Sequence, residues 1–165
     1  MEKLYQAYYT SPIGTLEITA SQETILSVLF STELPPVNAH NLPPCLQNCL
    51  QQLAEYFTGE RKQFDLPVAS TGTAFQEQVW RQLQHIQYGR TLSYYDISFQ
   101  LGNVGAIRAV GSANGKNKLL LLRPCHRVIG SNGQLVGYAG GLWRKKWLLD
   151  HERKVVGTPQ LTLFG

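Results

Sequence analysis

The sequence predicts an α+β fold: an N-terminal antiparallel sheet with one helix, followed by a mainly helical C-terminal part containing a helix-turn-helix and a short strand pair. Three observations carry that expectation. Short apolar segments separated by turn residues fill positions 4–30, apolar residues recur at helical spacing from Leu46 onward, and the charge changes sign near residue 70. Residues 1–70 hold three Lys/Arg against seven Asp/Glu, about −4, whereas residues 71–165 hold twelve against four, about +8. Two domains are therefore expected, 1–70 and 71–165.

The first elements read as a meander: LYQAYY, a turn at SPIG, TLEITA, a polar SQE, then ILSVLF. The proline-rich STELPPVNAHNLPP leads into a helix on which Leu46, Leu50, Leu53 and Phe57 share a face, with Gly59 at its stop. A second linker, FDLPVASTG, ends at Thr73, which with Gln76 matches a capping box. Phe75, Val79, Leu83 and Ile86 then mark a helix closed by Gly89. Ser93 caps a short helix to Leu101, Gly102-Asn103 makes a tight turn, and a further helix runs from Val104 to about Asn114, the pattern of a helix-turn-helix. The run LLLL at 119–122 reads as a buried strand, SNG as a hairpin turn after RVI, and GLWRKKWLLDHERK as the last helix.

With 165 residues, 43% of them hydrophobic, the chain can bury one good core or two small ones. No apolar run approaches the roughly 20 residues of a spanning helix, and the first residues lack the zones of a signal peptide, so a soluble, cytoplasmic monomer without a membrane partner is expected. Three widely spaced cysteines, Cys45, Cys49 and Cys125, do not describe a disulfide framework. Cys45 and Cys49 read as small buried hydrophobes, since zinc needs four ligands and no further cluster lies nearby. His40, His85 and His151 read as surface or packing histidines, and Trp80, Trp143 and Trp147 as packing residues. The basic excess of the second half suits a polyanion such as nucleic acid, or a solvated basic face.

Cys125 sits in PCHRV, with Arg123, His126 and Arg127 within two residues. Only a thiolate is strongly nucleophilic, and a neighbouring base or positive charge favours it. Glu152 lies beside the apolar stripe of the last helix, where a buried carboxylate needs a partner, and His126 would serve. A Glu152, His126, Cys125 chain follows, in which the third group orients the base. The alternative is an inert buried thiol. The helix VGAIRAVGSAN is unusually small-sided, with Gly105, Ala106, Ala109, Gly111 and Ala113, although interior glycine costs about 1 kcal/mol. Close packing explains such a helix, and so does approach to the minor groove, about 6 Å wide. Arg108 projects from it and suits the gap left by a flipped nucleotide.

In order along the chain, FQEQVW, GRTLSYYDIS, RAVGSAN, PCHRVIGSNGQLVGYAGG and WLLDHE resemble the O6-alkylguanine-DNA alkyltransferases (methylated-DNA–protein-cysteine methyltransferases). The resemblance is dense from about Thr73 to Glu152 and looser over the first 70 residues. It implies a ribonuclease-H-like first domain and a winged-helix-like second, and a DNA repair activity in which the cysteine takes an alkyl group irreversibly from O6 of a flipped guanine, or from O4 of thymine. By that resemblance Cys125 is the acceptor, and His126, polarised by Glu152, deprotonates it through a water. Asn117 holds the loop framing the site, Tyr94 stabilises the leaving guanine, and the Val128 carbonyl reads its exocyclic amine. Tyr138 walls the pocket, Arg108 is the intercalating finger, and Lys145 supports the site or the backbone contacts. Ala109, Gly111, Ser112, Arg123 and Arg127 face the DNA, double-stranded and bound through the minor groove, and no cofactor or metal is implied. The sequence departs from the family at Lys118, where proline is frequent, and at Arg123, where an aliphatic residue is usual. Added charge there is expected to aid phosphate contacts or to lower the Cys125 pKa. A cysteine hydrolase using Cys125, His126 and Asn117 and a non-catalytic lesion-binding protein are the competing readings. The former has no use for the basic half, and the latter type carries another residue, typically tryptophan, at the acceptor position.

Overall fold

A computed structural model of the chain describes residues 2–157, so the last stretch of the expected second domain, 158–165, lies outside the described residues. The fold is α+β, and the chain divides into two compact units. One runs to Thr71 and takes in Lys118–Leu122; the other comprises Gly72–Asn117 and the residues from Arg123.

In the first unit β1 (Tyr5–Ser11), β2 (Gly14–Ala20) and β3 (Ile25–Ser31) form an antiparallel sheet in sequence order. Ser11 pairs with Gly14 at the first turn, where Gly14 has φ 119, and the β2–β3 register shifts at Thr19/Ala20. Alternation puts Ala7, Leu16, Ile18 and Val28 inside, and the register shift brings Ile25 to the same face, all fully buried. α1 (Pro44–Thr58) covers them with Leu46, Cys49 and Leu53 and stops at Gly59, φ 88. Each Leu, Ile or Val among them contributes about 1.5–3 kcal/mol on burial. Cys45 and Cys49 thus lie on the buried stripe, and burial pushes the Cys49 thiol up to about 12.

The leucine run is not a regular strand. Leu119 bridges Val28 in parallel, with Val28 N donating to Lys118 O at 2.8 Å and Leu120 N to Val28 O at 3.1 Å, and Leu121 at φ 71 ends the pairing. Residues 118–122 are therefore an outlying piece of the first unit's sheet, which hydrophobicity alone does not reveal.

In the second unit α2 (Ala74–Gln84) begins with the Thr73/Gln76 capping box and ends at Gln84, earlier than Gly89, because His85 N and Ile86 N turn back to Gln82 O and Leu83 O. β4 (Leu92–Ser93) precedes α3 (Tyr94–Gln100), whose cap Ser93 exchanges hydrogen bonds with Asp96, a second capping box. Gly102 at φ 78 makes the turn, Asn103 caps Gly105, and a 3-10 turn at Val104–Ala106 leads into α4 (Ile107–Gly115). β5 (Val128–Ile129) pairs with β4 in parallel, so SNG closes a turn through Gly130 N to Gln134 O at 2.8 Å without a hairpin partner strand. α5 (Leu142–Val155) follows Gly141, φ 93, and buries Lys145, Leu148, Leu149 and Glu152. Among the described residues no helix is long and apolar enough to cross a membrane.

Candidate active site

Cys125 opens a 3-10 turn, Cys125–Arg127, whose three side chains are all buried. The proline before it cannot donate, and the Cys125 amide instead reaches Arg123 O at 2.7 Å. Asn114, on the buried face of α4, donates to Cys125 O at 3.4 Å, and Asn117 donates to Arg123 O at 3.0 Å. Two asparagines thus hold the backbone on either side of the sulfur.

His126 Nε2 lies 2.6 Å from Glu152 Oε2, both side chains fully buried. Arg127 grips the same carboxylate, Nε to Oε1 at 2.8 Å and Nη2 to Oε2 at 3.1 Å, while its Nη1 donates to Ile86 O at 2.7 Å. Gly89 N adds a bond to Oε1 at 3.1 Å. Burial opposes ionisation of Glu152, but His126 and Arg127 outweigh it and hold the carboxyl well below the usual carboxylate range. Burial lowers the His126 pKa against the pull of Glu152, so the imidazole is neutral near pH 7. A carboxylate at Nε2 places the ring proton there and leaves Nδ1 an acceptor, and Nδ1 has no hydrogen-bond partner.

The thiol behaves otherwise than its cationic neighbours suggest. Burial pushes Cys125 up to about 11; the hydrogen bond from Asn117 and the charge of Lys145 only moderate this. Arg123, 7% exposed, lies 4.6 Å over the Trp80 ring, and Arg127, equally buried, is engaged with Glu152. Both guanidiniums are thus engaged within the second unit, Arg123 on the Trp80 ring and Arg127 on Glu152.

Lys145, fully buried, donates to Val136 O and Gly137 O, both at 3.0 Å, and burial brings its pKa down to about 8. Tyr94 Oη donates to the same Val136 carbonyl at 2.8 Å. Tyr138 stands edge-on to His126 with ring centroids 6.4 Å apart, and its buried hydroxyl has no hydrogen-bond partner. Val128 is buried in β5 opposite Leu92. Cys125, His126, Glu152, Asn117, Tyr138, Lys145 and Tyr94 are thus linked through shared hydrogen bonds, charges and ring contacts.

On α4 the buried face is Ala106, Val110, Ala113 and Asn114, whereas Arg108, Ala109 and Ser112 are exposed. A Cβ at Gly111 would meet only the Tyr94 ring at 3.9 Å, and one at Gly115 nothing within 4 Å. Internal packing therefore does not demand glycine at either position. Sequence reasoning gave Asn114 no role, although an asparagine on the inward face of a helix is itself a signal. It also missed the Arg127–Glu152 fork, Ile86 O and Gly89 N, which only the fold brings together.

A buried thiol beside a carboxylate-oriented imidazole, on a unit with a helix-turn-helix whose second helix shows a trimmed outer face, defines a cysteine-dependent DNA-acting protein. Residues 74–154 match the DNA-binding domain model of 6-O-methylguanine DNA methyltransferase, and residues 4–70 its ribonuclease-like domain. The chain belongs to the 6-O-methylguanine DNA methyltransferase family. It is 43% identical over 157 residues to the constitutive methylated-DNA–protein-cysteine methyltransferase of Bacillus subtilis, covering 88% of this chain and 95% of that one. A methylated-DNA–protein-cysteine methyltransferase of Methanosarcina acetivorans is 42% identical over 154 residues, 90% of this chain and 98% of the relative. The crystal structure of Mycobacterium tuberculosis O6-methylguanine methyltransferase superposes with TM-score 0.83 at 37% identity, covering 99% of this chain and all of that one. A complex of the mycobacterial protein with DNA gives 0.82 at 39% identity, over 92% and 94%.

Proposed function

We propose that the protein repairs DNA by transferring a methyl or other alkyl group from O6-alkylguanine to Sγ of Cys125, once per molecule. The observation that carries this is the neutral His126 with a carboxylate at Nε2 and an open acceptor at Nδ1, next to the only cysteine of the second unit.

The thiol proton passes from Sγ to His126 Nδ1, by way of a water as the resemblance implies, and Glu152 stabilises the imidazolium that forms. A thiol pushed up to about 11 is mostly protonated at pH 7, so removal of its proton belongs to the reaction rather than to the resting state. Sγ displaces the alkyl carbon from O6: the S–C bond forms, the C–O bond breaks, and the electron pair leaves with guanine. Tyr94, released from Val136 O, turns its hydroxyl to the purine as negative charge develops, and the Val128 carbonyl accepts from the exocyclic amine. A thioether has no easy leaving reaction, and no second substrate is needed, hence a single turnover.

The exposed face of α4 enters the minor groove of the duplex with Arg108 filling the stack behind the flipped nucleotide, and the protein acts as a monomer in the cytoplasm. The deciding experiment is intact mass after incubation with a duplex carrying one O6-methylguanine, beside Cys125→Ala. A gain of one methylene mass confined to wild type and to the Cys125 peptide is expected. No gain with retained lesion binding would leave a damage-binding protein, and catalytic turnover would leave a hydrolase.

A further inference from the structure

Arg123, the residue before Pro124, has no part in the reaction just described. Its guanidinium carbon lies 4.6 Å from the Trp80 ring centroid, and Glu77, one turn earlier on α2, favours its charge against the effect of burial. Trp80 is itself fixed, its Nε1 donating to Ala113 O on α4 at 2.9 Å. The other end of Arg123, its carbonyl, accepts from the Cys125 amide at 2.7 Å and from Asn117 Nδ2 at 3.0 Å. One residue therefore joins α2 by its side chain to the backbone of the reacting cysteine. A residue preceding proline has few backbone conformations, so the orientation of its side chain and of its carbonyl are coupled.

We propose that Arg123 is a positioning residue: its stacking on Trp80 fixes the Arg123 carbonyl, and through it the direction of Cys125 Sγ. The inference rests on Cys125 being the acceptor. A flat guanidinium can stack where lysine's point charge cannot, so Arg123→Lys is not a conservative change here.

The test is the single-turnover rate of methyl transfer at saturating duplex, with duplex Kd and thermal unfolding measured alongside, for Arg123→Leu, Arg123→Lys, Trp80→Phe and the Arg123→Leu/Trp80→Phe pair. Arg123→Leu is expected to slow transfer about tenfold with Kd little changed, because a small misplacement of a reacting group costs rate rather than binding. Lysine should restore little, and the double variant should lose less than the product of the two single losses. A wild-type rate in Arg123→Leu, a rate loss matched by an equal loss of DNA affinity, or multiplicative effects in the pair would each overturn the proposal. Failure of wild type to transfer would count instead against the repair reading.

The sequence after α5 carries a second, independent inference. The family match stops at residue 154, α5 stops at Val155, and Gly157 at φ 64 is a left-handed helix stop. The chain then reads Thr-Pro-Gln-Leu-Thr-Leu-Phe-Gly, eight residues without an ionisable side chain in a half whose net charge is about +8. Gln160, Leu161, Leu163 and Phe164 offer one amide followed by three apolar side chains, the composition of a short peptide read by a cleft with apolar pockets and a polar lip.

We infer that Gln160–Phe164 docks into such a cleft on a protein that is itself carried on DNA, as a sliding clamp is. This goes beyond alkyl transfer: a protein used once per lesion gains from a tether that raises its concentration at DNA. Calorimetry of the full chain with a purified bacterial sliding clamp is expected to give a Kd in the micromolar range. Leu163→Ala/Phe164→Ala should weaken it about tenfold or more while transfer from a free oligonucleotide stays at the wild-type rate. No binding by the full chain, unchanged binding by the variant, or a variant that loses thermal stability and keeps clamp binding would each overturn the inference.

Discussion

Glu152 is shared: one oxygen meets His126 Nε2 at 2.6 Å, the other meets Arg127 Nε at 2.8 Å, and all three side chains are buried. The carboxylate therefore sets the imidazole tautomer and neutralises a cation at once, which makes its removal a double lesion.

Glu152→Gln should remove the carboxylate that fixes the proton on Nε2 and leave Arg127 without its counter-charge. Transfer is expected to slow by about 10² or more, and unfolding free energy to fall by about 3–5 kcal/mol, the usual cost of breaking one side of a buried pair. Rapid-quench transfer assays and urea unfolding measure the two effects separately. A slow but fully stable variant would show that Arg127 is satisfied without Glu152.

Acid should destabilise the protein early. His126 has its pKa lowered from 6.5 by burial, and Glu152 has its pKa lowered from 4.5 because His126 and Arg127 overcome burial. In each case the unfolded chain binds the proton more readily than the native one. Stability is therefore complete above the unfolded values and lost as pH falls, from about 6.5 for His126 and from about 4.5 for Glu152. Urea midpoints between pH 8 and pH 4 should fall with decreasing pH, and His126→Phe should flatten the upper part of that slope.

Lys145→Met should free the loop at Val136–Gly137, since one ammonium serves both carbonyls. Hydrogen bonds from a charged donor contribute about 1.5–3 kcal/mol each, and the exposure of Val136 and Gly137 puts these two at the low end. Faster amide exchange over residues 134–140 and slower transfer are expected together; slower transfer with unchanged exchange would mean that Lys145 acts by charge on Cys125 alone.

Gly111→Ala should separate fold from DNA contact. Added Cβ contact with Tyr94 at 3.9 Å is ordinary, so the helix should gain up to about 1 kcal/mol while duplex affinity drops if α4 lies against the groove. Arg108→Ala should slow transfer from duplex far more than from a single-stranded oligonucleotide, in which no stacked gap needs filling. Equal losses on both would remove Arg108 from the flipping step.

The local signals were legible. Thr73 with Gln76 and Ser93 before α3 mark helix starts that form, Gly59 and Gly102 mark turns that form, and Glu152 meets His126, the neighbour of Cys125 in the chain. What sequence could not supply was partnership across the fold. Hydrophobicity puts Leu119–Leu122 inside without naming the strand it bridges, and the net charge of the second half does not reveal that Arg123, Arg127 and Lys145 are buried. Adjacent cations also suggested a depressed thiol, whereas complete burial decides the sign for Cys125.

The excursion of Lys118–Leu122 into the first unit is flanked by Asn117 and Arg123, and the hydrogen bond between them closes its neck like a drawstring. Cutting the chain at the linker near residue 71 would strip four leucines of their cover just ahead of Cys125 and load that stitch with a sticky loop. A minimal acceptor module made for labelling or engineering would therefore need these leucines replaced by a short polar bridge that keeps Asn117 and Arg123 within hydrogen-bonding reach.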